Sequence, residues 1–420
     1  MKAFSQMNQE ELIDAKIELE KRYNEFKQQG LKLDMSRGKP SSDQLDLSMD
    51  LLNCQEYICG GVDCRNYGGL EGLKELRAFF SDLLQVNADN IIIGGTSSLT
   101  IMFDYLSQAM ATGILNNTPW SKLDKVKFLC PAPGYDRHFA FLEYFGIEMI
   151  TIALNDEGPD MDAVREYIKD ESVKGMFCVP KYSNPTGITY SDQVIKELAA
   201  LKPAAKDFRI IYDNAYCVHD LTSPGDQLLN IFDELPKYNN EDLVIMVAST
   251  SKITFAGSGI SCLVASDNNI ADIKKRLSVQ SISQDKMNQL RHLVFFKDVA
   301  NLKKHMQLHA KILKPKFDAV LNCLETELGG KEIATWTKPN GGYFISLDVM
   351  PGCAKRVWQL CQEGGVTLTN VGATFPYGKD PQDQNIRIAP SFPTVEELNK
   401  AATLLTICVQ LAAIEKISEK

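Results

Sequence analysis

Residues 209–216 read RIIYDNAY, and residues 243–265 read LVIMVASTSKITFAGSGISCLVA. Each stretch opens on an apolar run of strand length and breaks into polar chemistry: Asp213, Asn214 and Tyr216 in the first, Ser249, Thr250, Ser251 and Lys252 in the second. Short apolar runs alternating with helical patterns mark parallel βαβ units, whose ligands bind beyond the carboxyl ends of the strands. Working outward, the same alternation predicts strands at 90–93, 126–130, 175–179, 209–212, 243–247 and 259–265. Between them it predicts helices such as 99–110, with Leu99, Met102, Phe103, Leu106 and Met110 on one face, and 193–201, capped by Ser191 or Asp192. The fold class is α/β, a doubly wound and mostly parallel sheet.

The two ends of the chain read differently. Residues 8–29 place Leu12, Leu19 and Phe26 at seven-residue steps, with Ala15 and Tyr23 on the same face and Gly30 as a stop, which predicts an amphipathic arm helix. A Gly/Pro/Ser-rich loop, SRGKPSSDQLDLS, follows it. From about residue 300 the pattern changes to a long charged helix at 301–328, then strand-like runs around Tyr343 and Arg387, then a terminal helix. The expected division is an arm and part of a small α+β domain at 1–54, a large domain at 55–300, and the rest of the small domain at 301–420. The apolar stretch 401–414, broken by Thr406 and Gln410, falls short of the ~20 residues of a membrane span and reads as a buried or amphipathic helix.

Forty-five Lys and Arg against 54 Asp and Glu give a net charge of −9, which builds no field attractive to nucleic acid. Eleven cysteines, an odd number with no zinc or redox spacing, read as reduced thiols, and the N-terminus has neither the apolar run of a signal peptide nor the acid-poor composition of a transit peptide. Cytoplasmic location is expected, with no membrane and no metal. His305 and His309 lie four apart on the charged helix without the glutamate of a zinc motif and read as a solvated face.

The strand ends carry the chemistry. After 91–93 come Gly94, Gly95, Thr96, Ser97 and Ser98, small residues leading into a helix whose N–H groups suit a phosphate, although such turns are often only tight turns. Neither a GxGxxG nor a GxxxxGK[ST] is present. After 175–179 comes a rigid loop with Asn184, and Lys252 falls 39 residues beyond Asp213, one strand-helix-strand unit, so both can face one crevice. A lysine, a carboxylate and a phosphate nest are what pyridoxal 5′-phosphate (PLP) requires.

At this point the sequence resembles a known family, the class I and II aminotransferases of PLP fold type I. The matching motifs are SNPTG at 183–187, D-x-A-Y at 213–216, and S-x-S-K at 249–252 followed by a glycine-rich turn, and the resemblance extends from about Gly38 to Arg387. It implies that Lys252 forms the internal aldimine and moves the proton at the substrate Cα, that Asp213 pairs with the pyridine nitrogen, and that Tyr216 and Asn184 hydrogen-bond the phenolate oxygen. Gly95, Thr96, Ser97 and Ser249 would hold the phosphate. Tyr135, in PAPGYDRHF, would stack on the cofactor, and Tyr67, in NYGGLEGLKELR, would reach the neighbour's phosphate in an obligate homodimer; both also read as ordinary core or interface aromatics. Arg387, in NIRIAPS, would clamp the substrate α-carboxylate, with Gly38 in the loop that closes over it.

One position departs from the family. An arginine usually stands seven or eight residues after the lysine as a second phosphate clamp, and here Gly259 and Ile260 occupy those places, leaving Ser251 and Ser258 as candidates. With the helical lead and the SRGKP loop, this variant looks more like the divergent Ic-type aspartate aminotransferases. The expected reaction is L-aspartate:2-oxoglutarate transamination, a ping-pong exchange of amino and 2-oxo acids through pyridoxamine phosphate. Lys286, 34 residues past Lys252, is the candidate cation for the distal carboxylate, with Arg37 and Arg291 as competitors. The alternatives are an aromatic or 2-aminoadipate aminotransferase, a C–S lyase, and, remotely, an aminotransferase-like transcriptional regulator.

Overall fold

Eight strands build the main sheet in the computed structural model, which describes residues 2–419. In chain order they are β1 (Ile91–Ile93), β2 (Lys127–Ala132), β3 (Glu148–Asn155), β4 (Gly158–Pro159), β5 (Val173–Cys178), β6 (Arg209–Asp213), β7 (Val244–Ser249) and β8 (Ser261–Val264). Their spatial order is β1-β8-β7-β6-β5-β2-β3-β4. The five strands β7, β6, β5, β2 and β3 run parallel, while β8 lies antiparallel between β1 and β7, and β4 lies antiparallel to β3 at the edge. The central strands are buried along nearly their whole length, as expected of a sheet covered by helices on both faces.

The predicted strands are present with ends shifted by one or two residues. Strands β3 and β4 were not predicted, and the strand expected at 259–265 is shorter and antiparallel. The predicted helix at 99–110 is Ser98–Ala111, but its buried stripe is Met102, Tyr105, Leu106 and Ala109. Leu99, Phe103 and Met110 flank it, half-buried.

A three-stranded antiparallel sheet, β9 (Ala334–Trp336), β10 (Ile345–Val349) and β11 (Asn385–Ile388), forms a second layer. Both chain ends join it. The arm helix Gln9–Gln28 opens on a capping box at Asn8, buries Leu12, Leu19 and Tyr23, and donates from Tyr23 Oη to the Leu360 carbonyl at 2.9 Å. Leu33–Asp34 pairs in parallel with Val366–Thr367. One apolar cluster unites Leu12, Leu19 and Tyr23 with residues of 313–414, and two others flank the large sheet.

Two expectations change. The terminal helix is Val395–Ser418, 24 residues with a window of mean hydropathy 1.4, so it is long and apolar enough to cross a membrane by length and composition. That window is 72% buried inside the protein, packed on the arm helix and on Val299–Leu328, so it is a core helix. His305 and His309 are not on a solvated face. Both are buried, because at i and i+4 they share the inward stripe with Leu302, Met306 and Leu313.

Candidate active site

The parallel register of β6 and β7 sets Asp213 level with Val247, so the turn carrying Lys252 and the Asp213 carboxylate open at the same sheet edge. Main-chain bonds shape that turn: Ile253 N and Thr254 N both donate to the Thr250 carbonyl, at 2.8 and 2.9 Å. Buried histidines support it from behind. His292 Nδ1 lies 2.8 Å from the Asn288 carbonyl and its Nε2 faces the Thr250 and Thr254 hydroxyls at 3.2 and 3.0 Å, which fixes Nδ1 as the donor. His305 Nε2 meets the Ile253 carbonyl at 2.8 Å. His309 Nδ1 accepts from Gln44, whose amide also donates to Tyr343 Oη.

The Lys252 ammonium nitrogen lies 5.2 Å from the centre of the Tyr216 ring and 5.9 Å from that of Tyr343. Burial lowers its pKa, opposed by attraction to Asp213. An amine in such surroundings is poised as a nucleophile and base.

Asp213 is 3% exposed, and its two oxygens differ. Oδ2 lies 3.1 Å from His138 Nε2, whereas Oδ1 is buried with no partner among the described residues. An unpaired carboxylate oxygen at that depth is costly unless a donor arrives. The pyridine N–H of PLP would be such a donor, so the site fits that cofactor. Sequence reasoning missed His138. It sits one helical turn past Tyr135, stacks on Phe177 at 4.2 Å and meets the Tyr135 ring edge-on at 5.0 Å. Burial raises the Tyr135 phenol to about 12 and pushes the Tyr216 phenol well above its usual range.

The Gly94–Ser98 turn is anchored on β8: Gly94 N donates to the Ser261 carbonyl at 2.7 Å, and the Ser261 hydroxyl donates to the Gly95 carbonyl at 2.7 Å. Ser97 caps the following helix through Leu99 N. Ser251 Oγ donates to the Thr96 carbonyl at 3.0 Å, which ties this turn to the lysine turn. Ser249 is half-buried at the end of β7. A Cβ on Gly95 would meet nothing nearer than Gln284 at 3.7 Å, so the cradle is open. A Cβ at Gly259 would lie 3.0 Å from the Ser251 backbone, a tight approach, and Ile260 is buried, so neither position supplies a cation. Both candidate serines are engaged: Ser258 Oγ donates to Asn288 Oδ1 at 3.4 Å, and Ser251 Oγ donates to the Thr96 carbonyl of the cradle turn itself.

Arg387, on β11, is 7% exposed. Its Nη1 donates to Asp136 Oδ1 at 2.8 Å and to Asn184 Oδ1 at 3.3 Å, and its Nε to Thr369 Oγ1 at 3.4 Å. Thr369 in turn donates to the Ser36 carbonyl, tying in the SRGKP loop. A Cβ at Gly38 would stand 2.4 Å from Phe344, whose ring lies 5.0 Å from the Arg387 guanidinium.

Contacts link most of the predicted site: Tyr216 packs near Lys252, Tyr135 reaches Asp213 through His138, Asn184 bonds Arg387, and Ser251 ties the 94–98 turn to the lysine turn. Two candidates lie elsewhere on this chain. Tyr67 is 80% exposed, and Lys286 is buried with its ammonium 2.6 Å from the Gly68 carbonyl.

A model of the family described as aspartate amino-transferase matches residues 7–420. A putative aminotransferase from Mycolicibacterium smegmatis is 47% identical over 424 residues, covering 99% of each chain. An aspartate aminotransferase from Corynebacterium glutamicum is 44% identical over 403 residues, covering 95% of this chain and 93% of the relative. The crystal structure of an aspartate transaminase from Corynebacterium glutamicum superposes with a TM-score of 0.96 at 43% identity, covering 98% of both chains.

Proposed function

The chain belongs to the aspartate amino-transferase family, and from that membership we propose that it is a PLP-dependent enzyme that moves the amino group of L-aspartate to 2-oxoglutarate. The observation that carries this reading is a desolvated Lys252 within the electrostatic reach of Asp213, whose Oδ1 has no partner among the described residues. When bound, PLP supplies an aldehyde that takes the amino group and a protonated pyridine ring that accepts the Cα electron pair.

Every other task falls to side chains. Lys252 Nζ, whose pKa burial lowers, would hold the cofactor between turnovers and carry the proton that leaves the substrate Cα. Asp213 Oδ1 would accept from the pyridine nitrogen, while His138 holds Oδ2. Asn184 and Tyr216 would hold the cofactor's phenolic oxygen, and Tyr135 would supply an aromatic contact to it. Gly95, Thr96, Ser97, Ser249 and Ser251 would hold the phosphate. Arg387 clamps the α-carboxylate with planar N–H groups, under a loop that Gly38 allows to approach Phe344. Lys286 is the proposed cation for the distal carboxylate; its ammonium stands at Gly68, beside Tyr67.

We place the domain boundaries at 1–54, 55–300 and 301–420, a division supported by the apolar cluster that unites the two chain ends. A homodimer in the cytoplasm is the proposed assembly. Exposed Met49, Leu52, Tyr57, Ile58, Val62 and Tyr67 on one segment support the dimer, and the eleven free cysteines suit a reducing compartment. A panel of amino acids tests the substrate. Aspartate and glutamate should each convert the holoenzyme's cofactor to its amino form, and a holoenzyme that answers only to aromatic amino acids or 2-aminoadipate would refute the aspartate assignment.

A further inference from the structure

Arg387 does not wait for its substrate alone. Asp136 is the first residue of the helix Asp136–Tyr144, and its Oδ1 lies 2.8 Å from Arg387 Nη1, the one anionic partner of that guanidinium among the described residues. The other contacts, Asn184 at 3.3 Å and Thr369 at 3.4 Å, are neutral and long. A guanidinium with a side chain only 7% exposed would be costly without a counter-charge, and Asp136 provides it.

We propose, on the premise that Arg387 clamps the α-carboxylate, that Asp136 gates this clamp: its carboxylate holds the arginine ready and competes with the incoming substrate for Nη1. Nη2 donates to none of the described residues, so one end of the guanidinium is free and the other is taken. Bidentate capture along the Nη1–Nη2 edge requires Asp136 to yield, because two carboxylates on one guanidinium repel each other. The Asp136 side chain keeps 35% of its exposure and has water to turn into, which the buried Asp213 lacks. The gate is a matter of charge, so it acts on every carboxylate ligand and is independent of side-chain shape. Asp136 is a positioning and affinity-setting residue; the proton at Cα never reaches it.

The test measures succinate binding to the PLP-loaded enzyme by calorimetry at low salt, alongside steady-state kinetics with aspartate. Asp136→Asn, which keeps size and loses charge, should bind succinate roughly tenfold more tightly, about 1.4 kcal/mol, and lower KM for aspartate by a larger factor than it changes kcat. Asp136→Glu should return the dissociation constant toward the wild-type value. Unchanged or weaker succinate binding in Asp136→Asn would overturn the gate. Arg387→Lys separates the two claims. If it weakens succinate binding while Asp136→Asn has no effect, only the gate fails; if it leaves binding unchanged, the clamp assignment fails and the gate with it.

Discussion

Replacing His138 by phenylalanine removes one hydrogen bond and little else. The new ring keeps the stack on Phe177, 4.2 Å away and 8° from parallel, so the fold should hold and Tm should stay within a few degrees of wild type. What disappears is the 3.1 Å bond to Asp213 Oδ2, the one hydrogen bond this buried carboxylate receives from the described residues. A hydrogen bond to a charged group contributes about 1.5–3 kcal/mol. If Asp213 supports the reaction through the pyridine nitrogen, that loss appears in the barrier, and at about 1.36 kcal/mol per decade it slows the reaction roughly 10- to 150-fold. The assay is single-turnover stopped flow with saturating aspartate, following the cofactor absorbance. His138→Gln, which offers an amide donor, should recover part of the rate. A His138→Phe enzyme within threefold of wild type would refute the reasoning that the imidazole holds Asp213 for catalysis.

Lys286→Ala should lower kcat/KM for aspartate at least about tenfold relative to alanine, a loss of about 1.4 kcal/mol of discrimination; equal effects on both substrates would remove Lys286 from the distal site. Gly38→Ala puts a methyl group 2.4 Å from Phe344, so KM for aspartate should rise with a modest loss of stability, about 1–3 kcal/mol by thermal unfolding. Burial lowers His292 and His309 to about 4 from 6.5, so below pH 6.5 the unfolded chain binds protons that the folded one refuses. Stability is therefore full above pH 6.5 and falls as the pH drops toward 4, by about 1 kcal/mol per histidine between pH 6.5 and 5.5. Denaturation midpoints across that range check the sign, and His309→Gln should flatten the slope. Sedimentation of the holoenzyme should give twice 46.9 kDa; a monomer would contradict the dimer.

Much of the large domain could be read from the sequence because its buried parallel strands are continuous apolar runs with punctuated ends. Asn184, Asp213 and Lys252 were visible because they follow such runs directly. Strand β3 escaped because Glu148–Asn155 buries only Met149 and Ile152 near the sheet edge, and so lacks a continuous run. His305 and His309 were misread through their neighbours Lys303, Lys304 and Lys311, which mark the outer face of the same helix. In the terminal helix, Thr406 and Gln410 look like breaks, yet both are satisfied inside: Thr406 donates to the Thr403 carbonyl, and Gln410 donates to the Thr406 carbonyl and accepts from Lys331. His138 and Asp136 had no pattern to reveal them. Their partners, Asp213 and Arg387, lie 75 and 251 residues away, and only the fold brings them together.

The central claim is that Lys252, across the crevice from Asp213, makes this chain an aspartate-handling PLP enzyme. Mixing PLP-loaded protein with single amino acids, and recording the cofactor spectrum within seconds, tests it most directly. Aspartate and glutamate should both convert the cofactor to its amino form rapidly, and Lys252→Ala should abolish the conversion. Indifference to both amino acids, or wild-type conversion by Lys252→Ala, would contradict it.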